Sequence, residues 1–261
     1  ARKNIYGYVP IAVSSMLIAF VGYLVWGHHM FTAGMSDTAR WVFSLLTFLV
    51  AIPSGIKVFN WVATLYKGSI DVSPPFFFVM CFIFLFSIGG LTGLYNGTLS
   101  VDVHLHDTYF VVAHFHYVMF GGTGFAFFAA ILYWFPKVVG RMYPHKPTYI
   151  AGTLMFVGFN VLYYTKFIMG WNGQPRRYYD YLPRFHFLQV VSTVGSWILV
   201  AGLIYLAVIL LKALRHGELA PANPWDGTTL EWQVPSPPPL MNFHVLPVVT
   251  AGPYERVEGE G

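Results

Sequence analysis

The stretch His106-Asp107-Thr108-Tyr109-Phe110-Val111-Val112-Ala113-His114-Phe115-His116-Tyr117 leads into an apolar segment that covers residues 108–136. About 20 mostly apolar residues are enough for an α-helix to cross the hydrocarbon core of a bilayer, so this segment predicts a membrane span. His114 and His116 lie in its first third. Residues i and i+2 of an α-helix are about 200° apart around its axis. The two imidazoles should therefore point to nearly opposite faces and could serve two different metal centres.

The composition of the whole chain also indicates a membrane protein. Of its 261 residues, 56% are hydrophobic and only 10% are charged, whereas soluble domains carry about 25% charged residues. So much apolar surface excludes a disordered chain. The small positive net charge, without a basic run, argues against nucleic-acid binding. The one cysteine, Cys81, excludes an internal disulfide and any zinc site with several cysteine ligands.

Six segments are long and apolar enough to predict an all-α membrane protein with six transmembrane helices. They cover residues 6–28, 41–66, 74–95, 108–136, 148–170 and 187–212. Residues 1–215 form this six-helix part, and residues 216–261 form a polar, proline-rich tail expected to lie along a surface or over a partner. Nine lysines and arginines fall on the side of the two chain ends and four on the other side. Both ends are therefore predicted to face the cytoplasm or its equivalent.

Other ionisable side chains at membrane depth are candidates for function. His28 and His29 end the first predicted span at a depth similar to that of His114. On an α-helix they would be about 100° apart, so both could bind one ion of copper, iron or zinc. Hydrogen bonding to neighbouring helices is the alternative for these histidines.

Lys57 lies well inside the second predicted span. Ser54, Asn60 and Thr64 share its helix face. This polar stripe could hold water and conduct protons past a buried ammonium. The alternative is a lysine that snorkels to the headgroups.

Two polar pairs lie in connections on the side of the histidines. His106-Asp107, close to Asp102, suits a site for a hard cation with further ligands from water or a partner, and ordinary loop polarity is the alternative. Arg176-Arg177 suits carboxylates or phosphates, and contact with lipid headgroups is the alternative.

Five motifs together identify a family resemblance. They are Gly27-His28-His29-Met30-Phe31, Ile52-Pro53-Ser54-Gly55-Ile56-Lys57, Gly89-Gly90-Leu91-Thr92-Gly93, the stretch 106–117, and Pro175-Arg176-Arg177-Tyr178. With them, about residues 5–235 resemble the C-terminal half of subunit I of the haem–copper oxidases, in the cytochrome c oxidase branch. The resemblance implies half of a twelve-helix bundle that takes part in proton-pumping reduction of oxygen to water.

The resemblance also implies a role for each candidate residue. The implied cofactors are two haems, expected to be haem A, together with copper and magnesium. The roles are copper binding for His28 and His29, the high-spin haem for His114, the low-spin haem for His116, a proton path for Lys57 and Ser54, magnesium at the subunit II boundary for His106 and Asp107, and haem propionates for Asp102, Arg176 and Arg177. The family usually has threonine at position 54, so Ser54 is a departure that keeps the hydroxyl.

The remaining catalytic groups of the family, among them a third copper histidine, belong to the first half of subunit I. That N-terminal half is therefore expected as a separate chain or a missing segment. Subunit II, subunit III, cytochrome c and membrane lipid are the other expected partners. A bacterial inner membrane is the expected location, with the mitochondrial inner membrane as an alternative. A quinol oxidase is the alternative activity, although Asp107 and Tyr117 favour the cytochrome c branch, and a haem-anchoring structural subunit is the alternative outside enzymes.

Overall fold

The computed structural model describes residues 1–250 and residue 252, and in this part of the chain the regular elements are helices, with two isolated β-bridges. The α-helices are α1 Tyr8–Leu24, α2 Asp37–Leu49, α3 Ala51–Leu65, α4 Pro74–Gly97, α5 Leu99–Leu105, α6 Tyr109–Val118, α7 Phe125–Val139, α8 His145–Trp171 and α9 His186–His216. A 3-10 turn, Trp26–Met30, follows α1, and a π-helical segment, Met119–Gly124, joins α6 to α7. The prediction of an all-α protein is confirmed. The predicted tail, residues 216–261, extends beyond the described residues at 251 and 253–261.

Five helical stretches within the described residues are long and apolar enough to cross a membrane. They are Tyr8–Met30, Asp37–Leu65, Pro74–Gly97, Tyr109–Val139 and Pro183–His216. These stretches match five of the six predicted spans and support an integral membrane protein. The remaining predicted span, residues 148–170, lies within α8, which is long enough but carries more polar side chains. That α8 crosses the membrane stays a prediction, as does the side on which the chain ends lie.

Two of the spans are interrupted where the sequence gives a reason. Pro53 has no N–H to donate one turn back, and the helix is broken between α2 and α3 at Val50. In the fourth span, the π-helical segment contains Gly121 and Gly122, both buried. Such π-helical insertions are frequent at functional sites, and this one directly follows the helix that carries His114 and His116.

Glycines let α8 and α9 pack closely. A Cβ on Gly158 of α8 would lie 2.4 Å from Leu199 N on α9, and a Cβ on Gly195 of α9 would lie 2.4 Å from Leu162 N on α8. Small residues at such crossings allow helix backbones to approach each other inside a bilayer. Helix α8 also packs against α6, so the α8–α9 pair supports the helix that carries His114 and His116.

Lys137, near the end of α7, anchors the C-terminal tail. The residue is 4% exposed. Its ammonium donates to Val234 O at 2.7 Å, to Ala222 O at 2.8 Å and to Pro235 O at 3.4 Å. The ring of Trp232 covers it, with 5.1 Å between Nζ and the ring centroid. Three carbonyls and a ring face thus replace the water shell of the ammonium and fix the tail on the end of the bundle.

We predict that Lys137→Met loosens the tail, because three buried carbonyls lose their donor and each unpaired buried polar group costs about 1–3 kcal/mol. Limited proteolysis should cut residues 217–250 faster in this variant than in the unmodified protein. Lys212→Met, which replaces an exposed lysine at the end of α9, is the matched control and should leave the rate unchanged. Equal cleavage rates in the two variants would contradict the anchoring role.

Candidate metal and haem site

His28 and His29 lie on the 3-10 turn that ends the first span. Their Nε2 atoms are 3.1 Å apart, so the two side chains converge. His28 Nδ1 lies 3.1 Å from Thr47 Oγ1. The Thr47 hydroxyl donates its own proton to Phe43 O, so it accepts from His28. Nδ1 of His28 therefore carries the proton, and Nε2 keeps a lone pair directed towards His29.

These two nitrogens fit a single metal ion. Imidazole nitrogens bind zinc at about 2.0–2.1 Å, and two nitrogens at that distance from one ion are about 3 Å apart when the angle between them is near 100°. Imidazole is equally suited to copper, the metal implied by the family resemblance. Within the described residues there is no group of three or more His, Cys, Asp and Glu side chains that could hold an ion. His28 and His29 could thus supply only part of a ligand set.

His114 on α6 faces α4. Its Nδ1 lies 3.0 Å from Gly89 O and 3.2 Å from Thr92 Oγ1. A carbonyl only accepts, so Nδ1 is the donor and Nε2 keeps the lone pair. A Cβ on Gly93 would lie 3.0 Å from His114 Cε1, so the lack of a side chain at Gly93 makes room for the imidazole ring. Metal-binding histidines usually have one ring nitrogen held in this way, and His114 therefore fits an axial haem ligand.

His116 contacts a different helix. Its Nδ1 donates to Val112 O at 2.8 Å, one turn earlier on α6, so its Nε2 also keeps a lone pair. The ring stacks on Tyr163 of α8, with 4.1 Å between ring centroids and 20° between ring planes. His114 and His116 therefore lie against α4 and α8 respectively, and His116 also fits a haem ligand.

Several of the candidate histidines share one region. His28 is near enough to His29, His114 and His106 to interact electrostatically with each of them, and His114 interacts in the same way with His29. These residues come from the 3-10 turn, from the end of α5 and from α6. The fold thus brings together histidines that are far apart in the sequence.

Asp102 on α5 is 4% exposed, and its Oδ2 accepts a hydrogen bond from His106 Nδ1 at 2.8 Å. Burial raises the pKa of the Asp102 carboxyl, and the hydrogen bond from His106 opposes that rise. The carboxyl group orients the His106 ring and leaves its Nε2 available to a cation. In the described structure Asp102 therefore contacts the candidate magnesium ligand.

The loop that carries Asp107 is tied to the loop that carries Arg176. Tyr109 N donates to Gln174 O at 2.9 Å, and Arg176 N donates to Asp107 O at 2.8 Å. Arg176 Nη1 lies 3.8 Å from Asp107 Oδ1. Asp107 has a φ of 53°, a left-handed conformation in which Asp is one of the more frequent residues other than glycine. The candidate cation site and the arginine pair thus form one connected surface.

The two arginines of the pair differ in their surroundings. The Arg176 guanidinium lies over the ring of Phe115, 5.8 Å from its centroid, and so stands above the segment between His114 and His116. Arg177 is exposed, and it forms no hydrogen bond or ion pair with residues 1–250. Its guanidinium is available to an anion that approaches this surface.

Lys57 and Ser54 lie on α3. Lys57 Nζ is 5.3 Å from the centroid of the Trp61 ring, one turn further along the helix. Thr64 Oγ1 donates to Asn60 O at 2.7 Å. Among the described residues, no hydrogen bond joins Lys57 to this stripe or to a candidate histidine. The structure keeps the polar face of α3 but does not link it to the candidate metal site.

Two threonines that contact the histidines were given no role by the sequence, although Thr92 lies in one of the five motifs. Thr47 is 19 residues from His28 and Thr92 is 22 residues from His114. Each threonine lies on another helix, so no local spacing identifies the pair. Only the packing of α2 and α4 brings the hydroxyls to the imidazoles.

Lys166 was not selected as a candidate in the sequence analysis, although the sequence does indicate it. It lies inside the predicted span 148–170, where an ionisable group is a functional candidate by the same rule that selects Lys57. Its Nζ lies 5.1 Å from the ring centroid of Tyr109 and 5.1 Å from that of Tyr163. Tyr163 is the residue that stacks on His116, so Lys166 stands close to the second candidate haem ligand.

Comparisons with known proteins show the family to which the chain is similar. The sequence model of the family described as "Cytochrome C and Quinol oxidase polypeptide I" matches residues 1–198. Cytochrome c oxidase subunit 1 of Thermostichus vulcanus is 43% identical over 255 residues, which cover 98% of this chain and 46% of that protein. The subunit 1 of Cereibacter sphaeroides is 42% identical over 250 residues, which cover 95% of this chain and 44% of that protein. The chain thus spans a little under half the length of these relatives.

A solved structure of a haem–copper terminal oxidase dimer has a similar fold. Its TM-score to this chain is 0.73, with 24% sequence identity, and the match covers 84% of this chain and 44% of that one. At this identity the similarity shows the fold alone. The roles of individual side chains have to be argued from their chemistry.

We predict that Thr47→Val weakens metal binding at His28 and His29. The substitution keeps the shape of the side chain but removes the hydroxyl that holds His28 Nδ1, and loss of such a partner typically lowers metal affinity about 10- to 100-fold. The measurement is copper per chain in the purified complex after dialysis against a chelator. The control is Thr193→Val, which alters an exposed threonine on α9. Copper retained equally in both variants would reject the orienting role.

Proposed function

The chain belongs to the cytochrome c and quinol oxidase polypeptide I family, and we propose that it forms the part of a proton-pumping cytochrome c oxidase that holds the metal centres of oxygen reduction. In this proposal its six predicted spans, α8 included, are half of a twelve-helix subunit I. The haems and the copper, when bound, supply electron transfer and the reduction of oxygen to water. The residues of this chain hold these groups, keep lipid away from them and deliver protons.

The state of three histidines carries the proposal. His28, His114 and His116 each have Nδ1 donating to an oxygen atom, so that Nε2 of each ring is unprotonated and keeps its lone pair. A neutral imidazole with its tautomer fixed in this way is ready to bind a metal through the other nitrogen. We assign His28 and His29 to the copper, His114 to the high-spin haem on the same side of α6, and His116 to the low-spin haem on the opposite side.

The connected loop surface supports two further assignments. His106 and Asp107 would hold magnesium at the boundary with subunit II, because Mg²⁺ is usually bound by one or two protein ligands together with waters. Arg176 and Arg177 would hold haem propionates, since guanidinium–carboxylate bonds are charge-assisted and short. Asp102 belongs to the same propionate region, where it orients His106.

Lys57 and Ser54 would form part of a proton path. The face of α3 that carries them also carries hydroxyl and amide groups, and ordered waters can bridge such groups. The described residues provide no continuous chain of hydrogen bonds from Lys57 to the histidines. The path therefore needs bridging waters between Lys57 and the histidines.

We further propose the partners and the location. The partners are the N-terminal half of subunit I, subunits II and III, membrane lipid, and cytochrome c as the electron donor. Haem A is the proposed haem type. The location is a bacterial inner membrane with both chain ends on the cytoplasmic side. The bacterial relatives and the distribution of lysine and arginine between the two sides support this location.

The experiment that tests the proposal is a comparison of His114→Ala with His116→Ala in the purified complex. His114→Ala should abolish oxygen consumption with reduced cytochrome c, because the high-spin haem loses its ligand, while the low-spin haem stays reducible. His116→Ala should instead remove the low-spin signal from the reduced-minus-oxidised optical spectrum. Persistent turnover in His114→Ala, or the same spectral loss in both variants, would overturn the assignment.

A second prediction concerns Lys57. Lys57→Met removes the charge at little change in volume, so assembly and haem content should survive. Turnover should fall about 100-fold or more, in line with the contribution of a positioned proton-transfer group. Ser54→Ala should cause a smaller loss, because water can partly replace one hydroxyl. The measurement is oxygen consumption per haem, with Lys67→Met, an exposed lysine after α3, as the control. Near-normal turnover in Lys57→Met would rule out the proton path.

A further inference from the structure

One cation inside a predicted span has no part in the function proposed above. Lys166 lies on α8, one turn before its end at Trp171. Its ammonium stands over two aromatic rings, 5.1 Å from the centroid of Tyr109 and 5.1 Å from the centroid of Tyr163. The faces of aromatic rings attract cations, and they do so more strongly where water is excluded. The two rings therefore attract the ammonium and fix its position.

No anion in the described part of the chain neutralises this charge. Residues 1–250 place no carboxylate within ion-pair distance of Lys166 and give its ammonium no hydrogen-bond acceptor. Lys137, by contrast, is surrounded by three carbonyl oxygens. Ring faces hold the Lys166 ammonium but carry no net charge, so its field extends to the groups around it.

His116 is the candidate site residue that lies within the electric field of the Lys166 ammonium. The Tyr163 ring that lies under the Lys166 ammonium also stacks on the His116 ring, at 4.1 Å between centroids. Lys166 and His116 are near enough to interact electrostatically. Because α6 and α8 pack directly against each other, the distance between the ammonium and the imidazole is fixed by the fold.

We propose that Lys166 raises the reduction potential of the haem held by His116. The inference rests on the proposed function, because it needs a haem on His116. Reduction of that haem adds one electron and so removes one unit of positive charge at the iron. A fixed neighbouring cation favours the more negative, reduced state. Lys166 touches no reacting atom. Its fixed positive charge acts through space and makes the haem a better electron acceptor.

The expected size follows from Coulomb's law. A unit charge roughly 10 Å from another, in an effective dielectric of about 20, changes an equilibrium by about tenfold. For a one-electron couple, a tenfold change corresponds to about 59 mV. Removal of the Lys166 charge should therefore lower the midpoint potential by an amount of this order.

The test is a spectroelectrochemical titration of the low-spin haem in the purified complex. Lys166→Gln should lower the midpoint potential by about 59 mV, the tenfold change in the one-electron equilibrium, with an unchanged haem spectrum. Lys166→Arg keeps the charge, so its midpoint potential should stay close to that of the unmodified protein. Lys212→Gln removes an exposed lysine at the far end of α9 and is the control for general loss of charge. If Lys166→Gln assembles poorly, Lys166→Met, which keeps the aliphatic stem, replaces it.

An unchanged potential in the charge-removing variant, or an equal shift in Lys166→Arg, would overturn the inference. Failure of the underlying assignment has a different signature, because His116→Ala would then retain the low-spin haem spectrum. A complex that loses the low-spin haem in His116→Ala but keeps its potential in Lys166→Gln rejects the role of Lys166 alone. The two outcomes are therefore distinguishable.

Discussion

An imidazole inside a membrane must find a partner for its protonated nitrogen, because an unpaired polar group costs several kcal/mol in a medium without water, about 4–8 kcal/mol on scales that exclude hydrogen bonding. In this protein that partner is an oxygen on the same helix or on a neighbouring one. Val112 O holds His116, Gly89 O holds His114, and Thr47 Oγ1 holds His28. Each bond fixes the tautomer and the ring direction, and the second nitrogen of each ring is left for a metal. The arrangement of the candidate site depends on these bonds.

Departures from regular α-helix put those rings in place. The 3-10 turn Trp26–Met30 brings two adjacent histidines together at their Nε2 atoms. The break before Pro53 separates α2, which carries Thr47, from α3, which carries Lys57. The π-helical segment Met119–Gly124 follows the histidine pair of α6 and changes the phase of the helix that continues as α7. Regular helices would cross the membrane equally well, and each of these irregularities lies next to a residue of the candidate site in the sequence.

The sequence was informative where a single helix determines the outcome. The apolar segments predicted the five spans that the structure supports, and the i,i+2 spacing of His114 and His116 predicted contacts on different sides of α6. It was silent where partners come from other helices, as with Thr47 and Thr92, since their hydroxyls reach the imidazoles only through tertiary packing. The contact of Asp102 with His106 is local, four residues apart, and its burial depends on the packing of α5. The roles that the family resemblance implies rest on motifs, and side-chain geometry alone does not assign a metal.

Three lysines show how the surroundings of an ammonium decide what it can do. Lys137 is enclosed by carbonyl oxygens, and its hydrogen bonds to them hold the tail in place. Lys57 lies beside one ring, on a helix face that also carries hydroxyl and amide groups. Lys166 lies between two rings with no acceptor among the described residues, so no carboxylate of this part of the chain offsets its charge. An ammonium of this third kind has an effect at a distance, and the group within its reach is His116.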